Sequence, residues 1–365
     1  MLEEGRITYK QLILPIVLSR IILTITYLPT LIEPPANQDA WLTELLFFPL
    51  ELFLAFPIYL LWKRFPNQTL IQYSQTIAGK VGKLVGLLYI GYFLQSIVIT
   101  LAQFGLFFTS TVMPETPILF FYLTLILISA YATAKGLEVI SRLSEFFAPI
   151  VLIAITTVFV LLIKDMHLKE LTPVLEKGIF PVLHGGLIFT SRTVEVLWLA
   201  MLLPYLNNRQ KVKPVFIISF ALMSLFFVII TLPVLTVFEL GERKALKFPF
   251  YSVIRLVDIA DFIERVEAIH MAIWVLGIFV RVSFLYYLTV LGLSQLLNLR
   301  DYKLLILPLG TIIIPLTILI APNLVELQTF TSYKVFTGYS LSFLFVLPSL
   351  LLLTAIIRKK GVRHK

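Results

Sequence analysis

The sequence predicts an all-α polytopic membrane protein of about ten transmembrane helices, and three observations carry that prediction. Of its 365 residues, 59% are hydrophobic, and the mean hydropathy is +0.94. Only 14% are charged, against roughly 25% in soluble domains. The apolar residues also recur in runs of about 18 or more, the length that crosses a bilayer. No stretch remains for a separate soluble domain, so residues 1–365 read as one integral membrane domain. The chain has no Cys, which excludes disulfides, thiolate metal sites and thiol catalysis.

Hydropathy places the spans at Gln11–Leu31, Leu42–Trp62, Leu84–Val112, Pro117–Ala134 and Phe146–Ile163, then Phe180–Tyr205, Pro214–Phe238, Ile263–Leu291, Leu304–Ala321 and Val335–Ile357. The third and eighth are long enough to tilt. Glu3, Glu4, Arg6 and Lys10 precede an apolar run that reaches Thr30 without a small-residue cleavage site. That start does not read as a cleaved signal.

The loops set the expected orientation. Alternate loops and both termini carry 18 of the 30 Lys and Arg residues, including Lys63, Arg64, Arg209, Lys211 and the tail run Arg358–Lys365. Positive residues mark the cytoplasmic side, so both termini are expected there. The tail run abuts a span and reads as a topology anchor, not a nucleic-acid patch. The outer loop 239–270 is the longest connection. Within it, Phe250–Glu267 has apolar residues between charges, the pattern of an amphipathic helix lying over the outer face. It serves either as a lid on a vestibule or as a cover for helix ends.

The sixth span is the unusual one. Between Gly185 and Tyr205 it holds Arg192 and Glu195 near its middle, preceded by Gly185, Gly186, Thr190 and Ser191. A central charge costs about 2.5–3.5 kcal/mol on insertion scales, so it faces a cavity or a partner. Small and hydroxyl residues mark where a membrane helix can break and free backbone groups for a ligand. The first span has a parallel: Ser19-Arg20 and Leu28-Pro29 match Ser191-Arg192 and Leu203-Pro204. Spans one and six would open two inverted five-helix repeats, 11–163 and 180–357, each beginning with a broken helix as in LeuT-like transporters.

Five ionisable residues are read within spans: Arg20, Glu51, Arg192, Glu195 and Arg281. Arg192 and Glu195 are three apart and would share a face of an intact helix. Either they neutralise each other, or one of the three arginines is left for a ligand carboxylate, which a guanidinium matches in bidentate geometry. Arg20, at the end of a first half-helix, would supply permanently the charge that sodium supplies in an ion-coupled carrier. A proton could still couple through Glu195 or Glu51. Gln95 and Gln103 fall on roughly one face of span three. The candidate ligand-binding residues are Ser19, Arg20, Thr24, Gln103, Phe189, Thr190, Ser191, Arg192, Glu195 and Arg281. No nucleophile elbow, phosphate loop or metal-spaced His pair appears, so neither an enzyme nor a cofactor is expected.

An ordered series of motifs carries a family resemblance. It includes Gln38-Asp39-Ala40-Trp41, Arg64-Phe65-Pro66, Gly86-Leu87-Leu88-Tyr89 and Pro114-Glu115-Thr116-Pro117. It continues with Lys135-Gly136-Leu137-Glu138, Pro173-Val174-Leu175, Met201-Leu202-Leu203-Pro204 after Glu195, and Asp261-Phe262-Ile263-Glu264-Arg265. In this order, from about Ile7 to Asn323, the chain resembles the permease-like B subunits of bacterial spore germinant receptors, within the amino acid–polyamine–organocation superfamily. The resemblance implies ten helices in an inverted repeat. It implies a small germinant, usually an amino acid, bound between spans one, three, six and eight. It also implies the inner spore membrane and partnership with an A subunit and a C lipoprotein. The sequence departs from the family in having Arg20 and Arg192 where small residues are usual, which points toward a more anionic ligand or a filled pocket. A proton-coupled amino-acid permease is the alternative function, and a scaffold with a collapsed pocket is a third.

Overall fold

The computed structural model describes residues 5–28, 33–35, 37–256 and 266–361. Among them all regular structure is helical, apart from an isolated bridge between Ile7 and Leu206. Among the described residues nine helices are long and apolar enough to cross a membrane, or ten if the bent pair Phe180–Thr190 and Glu195–Tyr205 is one span. The protein is therefore an integral membrane protein; nine of the ten predicted spans have a helix as counterpart, and the sixth corresponds to the bent pair.

The first half comprises α1 (Tyr9–Thr26), α2 (Ala40–Arg64), the short α3 (Leu70–Ala78), α4 (Lys80–Phe107), α5 (Ile118–Lys135) and α6 (Leu137–Leu162). The second begins with the bent pair α7 (Phe180–Thr190) and α8 (Glu195–Leu202), followed by α9 (Val212–Val237). The long connection after α9 contributes α10 (Leu240–Ala245) and α11 (Pro249–Ile254). Then come α12 (Val266–Leu297), α13 (Ile306–Ile320), α14 (Leu324–Phe330), α15 (Tyr333–Leu341) and α16 (Leu347–Ile357). α15 and α16 are joined by a π-helical turn, Ser342–Val346, into one span.

Local chemistry sets several ends. Thr8 caps α1 in a reciprocal box with Gln11, and Thr69 does the same for α3 with Gln72. Asn323 caps α14 through the Glu326 amide. Burial sorts the helices into two groups. In α1 and α12, 72% of the apolar window is buried, but in α6 only 22%. With every residue of α8 also buried, α1, α8 and α12 form the centre. α6, α13 and α15–α16 turn apolar faces outward, as lipid requires.

Two expectations about breaks change. α1 runs unbroken from Tyr9 to Thr26, with Ser19 and Arg20 inside it. No helix break occurs there: the Ser19 hydroxyl is met by Glu195, and the Arg20 guanidinium by Thr24 one turn along α1 and by the Phe189 carbonyl of α7. The sixth span does break, by 44° between Thr190 and Glu195, but Gly185 and Gly186 are not the break. Both lie within α7 and let it close on α2 and the loop before it. A Cβ on Gly185 would come 2.3 Å from the Pro34 carbonyl oxygen, and one on Gly186 2.9 Å from Leu50 Cδ1.

Loop contacts divide into two faces. On one, Arg6 donates to the Pro204 carbonyl at 2.8 Å, Arg209 reaches Asn67, and Arg64 donates to the Ala355 carbonyl at 3.3 Å. The N-terminal segment and the loops richest in Lys and Arg meet there. On the other, Gln38 donates to the Pro173 carbonyl at 2.9 Å and the His167 amide to the Thr236 carbonyl at 2.9 Å. The expected amphipathic helix Phe250–Glu267 is helical over Pro249–Ile254, with Pro249, Phe250, Val253 and Ile254 buried. Residues 257–265 of it lie outside the described residues.

Candidate functional site

The helix break is where the site is built. Past Thr190 the α-helical bonding gives way to tighter turns: the Arg192 amide bonds the Phe189 carbonyl and the Thr193 amide that of Thr190. The Thr190 hydroxyl bonds back to the Gly186 carbonyl, and that of Ser191 to Ile188 at 2.7 Å. Such short side-chain bonds to the preceding turn compete with the helix and bend it. Thr190 and Ser191 therefore shape the break and do not line the cavity beside it.

That cavity has a volume of about 280 Å³. α1, α4, α12, the break and the α14–α15 turn enclose it, with Leu246 and Pro249 of the connection between α9 and α12 at its edge. Four of the ten candidate residues line it: Arg20, Gln103, Arg192 and Arg281. Gln95 does not; it accepts a hydrogen bond from Tyr339.

Behind one wall lies a fully buried polar knot. Arg281 on α12 forms an ion pair with Glu195, the first residue of α8. The Ser19 hydroxyl donates to the same carboxylate at 2.6 Å. Arg281 also donates to the Ser19 carbonyl at 3.1 Å, and its Nε to Thr100 at 3.1 Å. Ser19 and Glu195 thus join three central helices and do not face the cavity.

Arg20 forms a second wall. It is 2% exposed and lines the cavity. It donates to Thr24 at 2.9 Å and to the Phe189 carbonyl at 3.3 Å. Its guanidinium lies 4.5 Å from the Phe189 ring centroid and 5.0 Å from that of Phe227, a cation–π arrangement. Phe189 and Thr24 hold Arg20 in place. Among the described residues no carboxylate lies within ion-pair distance of it.

Arg192 closes the third side. A helical pairing with Glu195 does not form, because the break turns the two side chains apart. Arg192 instead pairs with Glu33 in the loop after α1, donates to the Thr331 carbonyl at 3.0 Å, and lies 5.4 Å from the Phe336 ring centroid. Burial pushes the Glu33 carboxyl above its usual range, with the Arg192 charge opposing the shift.

Sequence reasoning missed three contributors. Glu33 lies outside any span, but three in-span arginines against two in-span acids already called for an acid from elsewhere. Glu44 sits in the second turn of α2, fully buried, with Thr231 donating to its carboxylate; it belongs in the count of charges read within spans. α14 was invisible because its seven residues are too few to show a span or a clear period.

The family model described as "Spore germination protein" matches residues 6–325. The chain belongs to the spore germination protein family. It is 30% identical over 366 residues to Spore germination protein KB of Bacillus subtilis (strain 168), covering 98% of this chain and 97% of that protein. It is 25% identical over 345 residues to Spore germination protein A2 of the same organism, covering 91% of each. YndE, another spore germination protein from that strain, is 26% identical over 272 residues. This family member thus shares 98% of its length with KB and 91% with A2, against 73% with YndE, and its charged centre falls inside the region 6–325 that the family model matches.

Proposed function

We propose that this chain is the permease-like subunit of a spore germinant receptor and that its central cavity receives a small germinant through a carboxylate. The observation that carries this reading is Arg20. It is a buried guanidinium at the cavity wall, and no acid among the described residues pairs with it. A permanent charge held away from water favours an incoming anion with bidentate geometry. Gln103, whose Oε1 is buried without a hydrogen-bond partner, offers an acceptor for an ammonium or hydroxyl. An amino acid meets both requirements.

The wider reading follows the family. The two helix sets 11–163 and 180–357 act as inverted repeats that meet where Ser19 touches Glu195. The protein sits in the inner spore membrane with both termini cytoplasmic, alongside an A subunit and a C lipoprotein. Signalling needs no net transport, provided the ligand prefers one of two conformations.

A thermal-shift screen of purified protein with the twenty standard amino acids and their decarboxylated amines tests the ligand class. At least one amino acid should raise the melting temperature, its amine should not, and Arg20→Gln should abolish the shift. Equal shifts from an acid and its amine, or a full shift in Arg20→Gln, would remove Arg20 as the anchor.

A further inference from the structure

Basic residues from three segments gather at one corner of the molecule, and no acid accompanies them. Lys63 and Arg64 end α2, Lys80 and Lys83 lie in the first turn of α4, and Arg358, Lys359 and Lys360 follow α16. The sequence holds no Asp or Glu from Leu52 to Pro114 or after Glu326. Direct contacts bring the segments together. Arg358 donates to the Ile77 carbonyl near the end of α3 at 3.1 Å. Arg64 donates to the Ala355 carbonyl at 3.3 Å and to that of Lys360. Gly361 closes on the end of α2, where a Cβ would come 2.5 Å from Arg64 Cγ. α3 packs against both α4 and α16 and bridges them.

The two arginines hold carbonyls and Lys63 lies 4.9 Å from the Tyr59 ring centroid, which leaves four lysines. Lys80, Lys83, Lys359 and Lys360 are exposed, and none forms an ion pair among the described residues. Lys359 is also conformationally unusual. The Lys360 amide bonds the Ala355 carbonyl at 2.9 Å and the Lys359 amide that of Ile356 at 3.1 Å. These bonds close α16 in a Schellman turn, with Lys359 in the left-handed region at a φ of 52°. Gly is the usual residue there, because it has no Cβ to strain the turn. Membrane orientation needs positive residues on this face, but it does not need one in that position. A side chain kept on a strained backbone points to a use for that side chain. Both helices are apolar and open beside their lysines. Val81, Leu84 and Leu88 on α4 are exposed, as are Leu350, Leu353 and Ile357 on α16. Their spacing of three and four residues makes one stripe on each helix, and each stripe ends at a pair of lysines.

We propose that this corner binds an anionic phospholipid: the headgroup phosphate sits among Lys80, Lys83, Lys359 and Lys360, and the acyl chains lie along the exposed stripes of α4 and α16. Charge complementarity selects the ligand. Four ammonium groups without a carboxylate favour a headgroup of net negative charge. A zwitterionic headgroup would bring its own cation against the lysines. Lysine suits the position, since its methylene stem stays on apolar surface while its charge reaches the headgroup level. The stripes decide between a lipid and a free phosphate, because only a lipid covers the apolar faces as well as meeting the charge. A lipid held in this way ties the start of α4 to the end of the tenth span, across α3.

Native mass spectrometry of the full-length protein in detergent, titrated with phosphatidylglycerol or phosphatidylcholine, resolves the first lipid bound. Phosphatidylglycerol should bind more tightly, by roughly fivefold for each lysine that meets it. Lys80→Gln, Lys83→Gln, Lys359→Gln and Lys360→Gln together should abolish that preference. Lys135→Gln with Lys303→Gln, two exposed lysines elsewhere, should keep it. Lys359→Gly reads the site independently: it should keep or raise the melting temperature, because the left-handed turn relaxes, and yet lower the preference roughly fivefold. Equal affinity for the two lipids overturns the proposal, and so does a preference lost to the same extent in the Lys135 and Lys303 variant. An unchanged preference in Lys359→Gly, or one that falls only with the melting temperature, overturns it as well. Displacement of phosphatidylglycerol by an equal concentration of glycerol phosphate would mark a site for free phosphate and overturn the lipid. Should the fourfold variant not fold, the Lys359→Gly result decides alone.

Discussion

At the scale of single residues, the site consists of three arginines with three different fates. Arg281 is consumed by Glu195 and Ser19, Arg192 by Glu33 and Thr331, and Arg20 is left facing the cavity. The sequence revealed that charges sit in the membrane but not how they pair, because the three-residue rule for Arg192 and Glu195 holds only on an unbroken helix. Removing one member of the buried pair should be severe. Glu195→Leu leaves Arg281 uncompensated and should cost about 3–5 kcal/mol, seen as a lower melting temperature in detergent. The double change Glu195→Leu with Arg281→Met should recover part of that loss. Glu33 gives a pH signature. Its carboxyl is raised by burial, so its contribution to stability is full below the ordinary carboxylate range and is lost as pH rises through the raised value. Acid thus breaks the Arg192 ion pair without unfolding the protein through this group. A cysteine placed at Gln103, in a chain with none of its own, should gain reactivity toward a small thiol reagent as pH falls through that window when its rate is divided by that of an exposed reference cysteine at the same pH, a ratio that removes the common loss of thiolate. In Glu33→Gln that ratio should be high at every pH.

At the scale of helices, the spans and the bend in the sixth were legible because apolar runs and a central charge are properties of neighbours in sequence. The cause of the bend was harder to read. Gly185 and Gly186 suggested weakness, but their role is to admit Pro34, Thr43 and Leu50, contacts that depend on how helices pack. Gly185→Ala would drive its methyl into a backbone carbonyl at 2.3 Å. Overpacking of this kind costs about 1–3 kcal/mol, and a reduced yield of folded protein on size exclusion checks it. Gly91, whose added Cβ would meet nothing within 4 Å, should tolerate the same change. The first span's Ser19-Arg20 looked like a second break for a related reason. The sequence shows two polar residues, while their partners Glu195, Arg281 and Phe189 come from helices far along the chain.

At the scale of the whole molecule, the two-sided pattern of basic loops was legible and the structure brings those loops to one face. Lys359 should accordingly resist an impermeant amine reagent applied from outside, while Lys177 should react; the reverse would invert the orientation. One feature of the centre governs how the rest can move. Ser19, Glu195 and Arg281 fasten α1, α8 and α12 at a single level. Such a fastening acts as a fulcrum. Beyond it, the seven steps from Ser19 to Thr26 make a lever about 10 Å long at 1.5 Å per residue. A tilt of about 10° around that point would swing the Thr26 end by roughly 2 Å, while the Tyr9 end moves the opposite way. A small push at the cavity can therefore be delivered to the far face as displacement of the N-terminal segment, against the strand-like contact of Ile7 with Leu206.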